Sequence, residues 1–254
     1  MMVAEVLFYM RNKGKYLYSV FYLVVLFAVS GCSGKLSVQA KSDMGADIQF
    51  SASVGQVISS TLSSLSSSIA GGKYSGGSQN LFSATEIKKA FNGSDFTDVT
   101  VTTPSSDSLN MSASIPSASK QTHATGGIRA SDIVNCTSNK MVLQFSPTSL
   151  QKLSADLPKD TKTYLDLFMA PVFTGEKMDK SEYKMLIASI YGDQIASELD
   201  KAQITVSLSC PKGKKISSTS LPSGAKVTSS SATFDLPLMD LLTLSGSRSY
   251  SISW

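Results

Sequence analysis

Both ends of this chain alternate apolar and polar residues, and that pattern limits the folds open to it. At the start, residues 36–40 and 48–52 alternate on the two sides of a glycine-containing turn at 43–46. A period of two is typical of β-strands with one buried face, so this stretch predicts a β-hairpin. The same period predicts further strands near the end of the chain, at 204–210, 216–220, 227–236 and 250–254.

The middle of the chain follows the spacing of amphipathic helices, at 54–70, 84–92 and about 147–202. A capping-box pattern at Ser83–Glu86 is expected to open the short helix at 84–92. Asp179 to Glu182 are expected to start a later helix, which bends at Gly192. The sequence therefore predicts an α+β fold, in which a mainly antiparallel sheet from both ends of the mature chain packs against several helices. Short strands are expected between the helices, at 99–101, 109–115 and 141–145.

An export signal precedes these patterns. Basic residues at 11–15 come before an apolar run at 17–28, and small residues at 29–32 close the run. This order is typical of a secretory signal peptide. The alternative, a transmembrane helix, needs about 20 apolar residues, and this run is shorter and ends at glycine. Translation from Met10 instead of Met1 would make the signal more compact.

Residues 29–32 resemble the lipobox of bacterial lipoproteins, which consists of an aliphatic residue, a small residue, glycine and cysteine. The resemblance implies removal of residues 1–31 as a signal peptide. It also implies that Cys32 carries diacylglyceryl and fatty acyl chains such as palmitate, which anchor the protein to a membrane. Ser33 in the next position, by resemblance to enteric lipoproteins, favours the outer membrane over the inner one, with the body in the periplasm or on the cell surface.

The mature chain is long enough for one large domain or two small ones, since it has 223 residues. We expect a single domain over 32–254, with a loop or sub-domain boundary near 116–130. It carries 20 basic and 18 acidic residues, a balance of +2, and its longest run of cations is 214–215. So weak and dispersed a charge predicts no nucleic-acid partner.

The three cysteines divide into one lipid site and one pair. If Cys32 carries lipid, Cys136 and Cys210 are left in a chain bound for an oxidising compartment, and we expect a disulfide between them. Two buried free thiols are the alternative. No metal site is expected, because two isolated cysteines and one histidine do not form a clustered ligand set.

Motifs of the known catalytic classes do not occur in the chain. Phosphate-binding glycine loops, zinc-protease patterns, nucleophile elbows and Cys-x-x-Cys pairs are all missing from the sequence. A serine hydrolase would have to use the single histidine, His123, which lies in the most loop-like part of the chain. The carboxylates at 176–182 are explained by the positive end of a helix dipole. We therefore expect no enzyme activity and no cofactor.

Two apolar features have structural interpretations. The stretch 164–173 is the most apolar part of the mature chain. We expect it to be a buried helix end stopped by Pro171, and the alternative is an exposed apolar lip for a lipid or a partner. Trp254 ends a run of alternating residues, and we expect it to plug the core.

The order of hairpin, helix, strands, helices and strands resembles the lipid-anchored envelope domain of LppM-type bacterial lipoproteins. This resemblance rests on the pattern of elements and implies a membrane-anchored envelope protein. We expect a non-catalytic role, either in binding other envelope proteins or in envelope structure. The alternative is a binding module for a lipid or another apolar ligand, enclosed by the apolar faces of 54–70 and 164–195. A hydrolase is the third hypothesis.

Overall fold

The structure is a computed structural model that describes residues 33–61, 82–91, 94–117, 129–155 and 169–254. Its strands, in chain order, are β1 (Ser33–Ala40), β2 (Ala46–Ser53), β3 (Thr97–Ser105), β4 (Ser108–Ile115), β5 (Val134–Cys136), β6 (Lys140–Phe145), β7 (Gln203–Ser209), β8 (Ser218–Ser220), β9 (Lys226–Val227), β10 (Ser231–Pro237) and β11 (Arg248–Ser253). Its helices are α1 (Ala84–Ala90), α2 (Pro147–Ala155), α3 (Pro171–Thr174), α4 (Lys180–Tyr191), α5 (Asp193–Lys201) and α6 (Leu238–Leu242). Residues 56–61 are also helical.

Several predicted features lie outside the described residues. They are the signal at 1–31, Cys32, the second part of the 54–70 helix, His123 with most of the 116–130 loop, and residues 164–168.

The larger sheet has seven strands in the order β3-β4-β2-β1-β7-β10-β9. The predicted hairpin forms its centre, with Leu36 opposite Phe50. On its other side β1 pairs with β7 in parallel, and Ser33 lies opposite Gln203. The remaining neighbours are antiparallel. One sheet thus combines strands from both ends of the described chain, which agrees with an α+β fold in which strands outweigh helices.

A second sheet has four antiparallel strands in the order β5-β6-β11-β8. Trp254 follows its β11 strand and is only partly buried. Its indole Nε1–H donates a hydrogen bond to the Ser138 carbonyl at 3.0 Å, and its backbone N–H donates to the Asn139 carbonyl at 2.9 Å. The ring packs against the core while its polar N–H holds it at the turn before β6, so Trp254 closes the core only in part.

Helix α4 starts as the sequence predicts. The Asp179 carboxylate accepts hydrogen bonds from the N–H groups of Ser181 and Glu182 at 2.7 and 2.9 Å, and the Glu182 carboxylate accepts one from the Asp179 N–H at 2.8 Å. These contacts satisfy N–H groups that a helix start leaves unpaired. Gly192, at φ 91° and ψ 158°, does more than bend the helix, because it ends α4 and begins α5.

Two boundaries have detail that the prediction lacked. Pro171 begins helix α3, where it occupies the first turn and its missing N–H costs nothing. Residues 164–168, where the predicted helix would end, lie outside the described residues. The single strand expected at 227–236 is two strands, β9 and β10. A turn separates them, closed by a 2.8 Å hydrogen bond from the Thr228 N–H to the Ser231 carbonyl.

Alternate strand residues and the inner faces of the helices meet in one apolar core. In the two sheets, Val206 and Ile252 are fully buried. The predicted apolar faces of the helices contribute Ile58, Tyr183 and Leu199, each at most 1% exposed. The core therefore covers one face of the seven-stranded sheet and leaves the opposite face to solvent.

The β1–β2 turn depends on a close backbone approach at Gly45. This residue is buried, and its carbonyl accepts a hydrogen bond from the Lys41 N–H at 2.9 Å. A Cβ at this position would lie 2.6 Å from the Ile115 carbonyl oxygen.

We expect Gly45→Ala to lower the free energy of unfolding by about 1–3 kcal/mol, because the added methyl group clashes with backbone that has no rotamer to change. Gly246→Ala is the matched control, since its Cβ would meet no atom within 4 Å. Urea unfolding followed by circular dichroism measures both. Equal midpoints for the two variants would contradict the close approach.

Candidate functional site

The described structure starts directly beside the predicted lipid site. Cys32 lies just outside the described residues, and Ser33 is the first residue of β1. Because β1 lies in the middle of the seven-stranded sheet, residue 32 is attached to the centre of that sheet without a linker.

The two remaining cysteines do not form the expected disulfide. Cys136 and Cys210 are both free. Cys136 ends β5 in the smaller sheet, whereas Cys210 follows β7 in the larger one. The Cys210 thiol instead lies 3.1 Å from the Lys214 carbonyl and 3.3 Å from the Ser230 carbonyl, with geometry suited to donating to either. The alternative of two free thiols is what the structure shows.

Neither thiol is activated as a nucleophile. Burial raises the pKa of Cys136 to about 11. Burial also raises the pKa of Cys210, although a backbone hydrogen bond opposes that effect. Since the thiolate is the reactive form, both cysteines are poor nucleophiles at neutral pH.

We expect both thiols to resist alkylation in the native protein. At pH 8 a pKa of about 11 leaves about one Cys136 in a thousand as thiolate, so iodoacetamide should modify both residues slowly until urea unfolds the chain. Peptide mapping by mass spectrometry measures the modification, and the unfolded protein is the control. A Cys136–Cys210 peptide that survives without reductant would contradict the structure.

The charged side chains of α4 and α5 serve the fold. Asp200 on α5 lies 2.7 Å from Lys184 Nζ and 3.3 Å from Lys180 Nζ, both on α4. The hydrogen bond from Lys184, together with the charges of both lysines, lowers the pKa of Asp200. These contacts tie the two helices together, as the Asp179 capping box secures the start of α4. They require no acid–base role.

The outer face of the seven-stranded sheet carries almost only small polar side chains. We call it the polar sheet face. Strand pairing aligns one row of residues across all seven strands. From one edge to the other this row is Thr100, Ser112, Gln49, Ser37, Ser207, Thr233 and Lys226.

The rows on either side of it have the same character. Towards the start of β1 they contain Lys35, Ser51, Asn110, Thr102, Thr205 and Asp235, and towards its end Gln39, Asp47, Ser114, Ser209 and Ser231. Each strand alternates these residues with the buried ones, because successive side chains of a strand point to opposite faces. None of the side chains named in these rows is aromatic.

A shallow groove of about 400 Å³ crosses one half of the polar sheet face. Its walls bring together two threonines, three serines, Gln49, Asn110 and one cation, Lys35, and they include no carboxylate. The buried residues Phe50 and Met111 contribute the rest of the lining. Hydroxyl and amide groups both donate and accept hydrogen bonds. The groove can therefore hold a hydroxyl-rich or amide-rich surface, but it contains no base to activate a nucleophile.

This face was not predicted from the sequence, although the alternation along the strands indicates it. The polar positions between the apolar ones on β1, β2, β4, β7 and β10 are mostly serine, threonine, asparagine and glutamine. The strand predictions used only the apolar positions, which identify the buried face of the sheet. Strand order was also needed, because it decides that these positions lie side by side.

Among the described residues, no group of three histidine, cysteine or acidic side chains could hold a metal ion. In the same part of the chain, every helix is too short or too polar to span a bilayer.

Comparison with known proteins gives one distant structural similarity and no sequence match. No protein-family profile matches the chain, and no curated protein sequence matches it significantly. The folded domain of LppM from Mycobacterium tuberculosis, solved by NMR, is similar at 8% sequence identity and a TM-score of 0.32, over 95% of this chain and 94% of that one. At this TM-score the two backbones superpose only loosely, so the likeness carries no functional argument.

Proposed function

We propose that this protein is a lipid-anchored lipoprotein of the bacterial envelope that acts by binding a partner and not by catalysis. The observation that carries the proposal is the position of Ser33, which begins the central strand one residue after the lipobox cysteine. An acyl chain on Cys32 would hold the sheet directly at the membrane surface, since one extended residue spans only about 3.4 Å. Two or three acyl chains give stable anchoring, whereas one does not.

The anchored end of the sheet follows from strand direction. The start of β1 lies beside Gln203 at the start of β7 and beside Ala52 near the end of β2. These residues would face the lipid headgroups. The hairpin turn at Gly45 and the end of β7 at Ser209 would point away from the anchoring membrane.

Binding is favoured because the ionisable groups described above already have structural roles. Asp179, Asp200 and the two thiols are engaged in a helix cap, ion pairs and burial. Part of the polar sheet face is also used within the fold, since Thr205 donates a hydrogen bond to Asp235 and Ser114 donates one to Asp47. The groove side chains Gln49, Asn110 and Ser112 make no side-chain hydrogen bond among the described residues, so they are available to a partner. The partner of this face would therefore be a hydrophilic component of the envelope.

The anchor is tested by metabolic labelling with an alkyne analogue of palmitate. We expect the wild-type protein and the control Cys136→Ser to be labelled, and Cys32→Ala to lose the label completely, because only Cys32 lies in the lipobox. Fluorescent tagging of the alkyne after affinity purification measures the result. Label that persists on Cys32→Ala would overturn the anchor.

The binding surface is tested by photo-cross-linking in intact cells. A photoreactive amino acid at Ser112, in the middle of the polar sheet face, should give discrete cross-linked products, because this position would contact the partner. The same amino acid at Ser189, on the exposed side of α4, is the control. Identical products from the two sites, or none from Ser112, would contradict a binding role for this face.

A further inference from the structure

One stretch of the chain is strongly and uniformly basic. Between Asp200 and Asp235 the sequence has five lysines and no acidic residue. Four of these lysines are exposed at one edge of the larger sheet, and we call them the lysine edge. They are Lys212, Lys214, Lys215 and Lys226.

Backbone hydrogen bonds bring the two parts of the lysine edge together. The turn after β7 is closed by a 3.0 Å bond from the Lys214 N–H to the Pro211 carbonyl. This turn is joined to the β9–β10 turn by a 2.8 Å bond from the Ile216 N–H to the Ser229 carbonyl. Lys226 is three residues before Ser229, on the edge strand β9 that leads into this turn.

Among the described residues, no carboxylate forms a salt bridge with the lysine edge. The salt bridges found among the described residues involve other lysines and Arg248. On the neighbouring hairpin, Asp47 is paired with Lys41 at 2.7 Å, and the Asp43 carboxylate accepts a hydrogen bond from the Gly45 N–H. A group of exposed lysines without acidic partners creates a local positive potential that attracts anions.

We propose that the lysine edge and the adjoining polar sheet face bind an anionic polysaccharide of the cell envelope. The location of this ligand in the envelope rests on the proposed function. Lys226 ends the row of hydroxyl and amide side chains that crosses the sheet through Thr233 and Ser207. A charged sugar chain needs both kinds of contact. Its anionic groups pair with the lysines, and its hydroxyls exchange hydrogen bonds with serine, threonine and glutamine.

Position argues against the anchoring membrane as the partner. The turn at 211–216 follows the far end of β7, which runs parallel to β1 from the level of Ser33. Seven strand residues span roughly 24 Å, whereas the Debye length at physiological salt is about 8 Å. The anionic surface of the anchoring bilayer is therefore screened from these lysines.

Chemistry argues against nucleic acid. Proteins that bind single strands stack bases on aromatic side chains, and proteins that read duplexes rely heavily on arginine. The segment 203–233 contains no arginine, tryptophan, tyrosine or phenylalanine. Lysines among hydroxyl groups supply point charges and sugar contacts without a stacking platform.

The test uses the full-length protein purified in detergent and polygalacturonate as the probe. Isothermal titration calorimetry should show binding that weakens steeply as salt is raised from about 50 mM to about 200 mM. Replacing Lys212, Lys214 and Lys215 together by Gln should weaken the affinity at the lower salt about tenfold or more, because three ion contacts are lost. Neutral dextran should not bind.

The control removes the same charge elsewhere. Lys88, Lys177 and Lys201 are exposed, and replacing them together by Gln should change the affinity less than about twofold if the effect is local. Circular dichroism and urea unfolding confirm that both triple variants are folded. Absence of binding by the wild-type protein, an equal loss in both variants, or tighter binding of a short DNA duplex than of polygalacturonate would overturn the proposal.

The two proposals fail separately. Palmitate labelling of Cys32 reports only the anchor, whereas calorimetry on purified protein reports only the lysine edge. An unlabelled protein that still binds polygalacturonate would remove the membrane anchor and keep the polysaccharide site. A labelled protein that does not bind polygalacturonate would keep the membrane anchor and remove the polysaccharide site.

Discussion

The parallel pairing of β1 with β7 is the interaction on which the rest of the structure depends. It joins Ser33, the first described residue, to Gln203, which is 170 positions later in the chain. The hairpin partner β2 and the outer strands β4 and β3 extend the sheet on one side, and β10 and β9 extend it on the other. Because a pair so distant in sequence closes a very long loop, its cost is offset only by the apolar core that it completes.

This pairing also gives the molecule a direction. The start of β1, where the proposed anchor would attach, and the basic turn after β7 lie at opposite ends of two parallel neighbouring strands. The two faces of the sheet differ as clearly, since Leu36 and Phe50 point into the core while Ser37 and Gln49 point outward. A body fixed at one end, with a polar face and a basic edge exposed, suits a protein that holds a hydrophilic polymer near a membrane.

Local features were predictable from the sequence because local chemistry decides them. The β1–β2 hairpin follows from alternation around a glycine turn, and the start of α4 follows from Asp179 and Glu182. Features that depend on distant neighbours were predicted wrongly, only in part, or not at all. Cys136 and Cys210 were paired by elimination, but they belong to different sheets. Trp254 packs against the core but stays partly exposed, because its N–H finds a partner at Ser138.

The candidate site likewise has features that the sequence decides and features that only the tertiary structure decides. The sequence by itself determined the lipobox-like pattern at 29–32, the polar half of each strand and the run of lysines without acids between Asp200 and Asp235. Tertiary structure alone decided that Lys226 and Lys214 share one edge and that Thr100 and Thr233 share one face. The physical reason is that alternation along a strand fixes which side chains face the same way, whereas strand order and register fix which of them become neighbours.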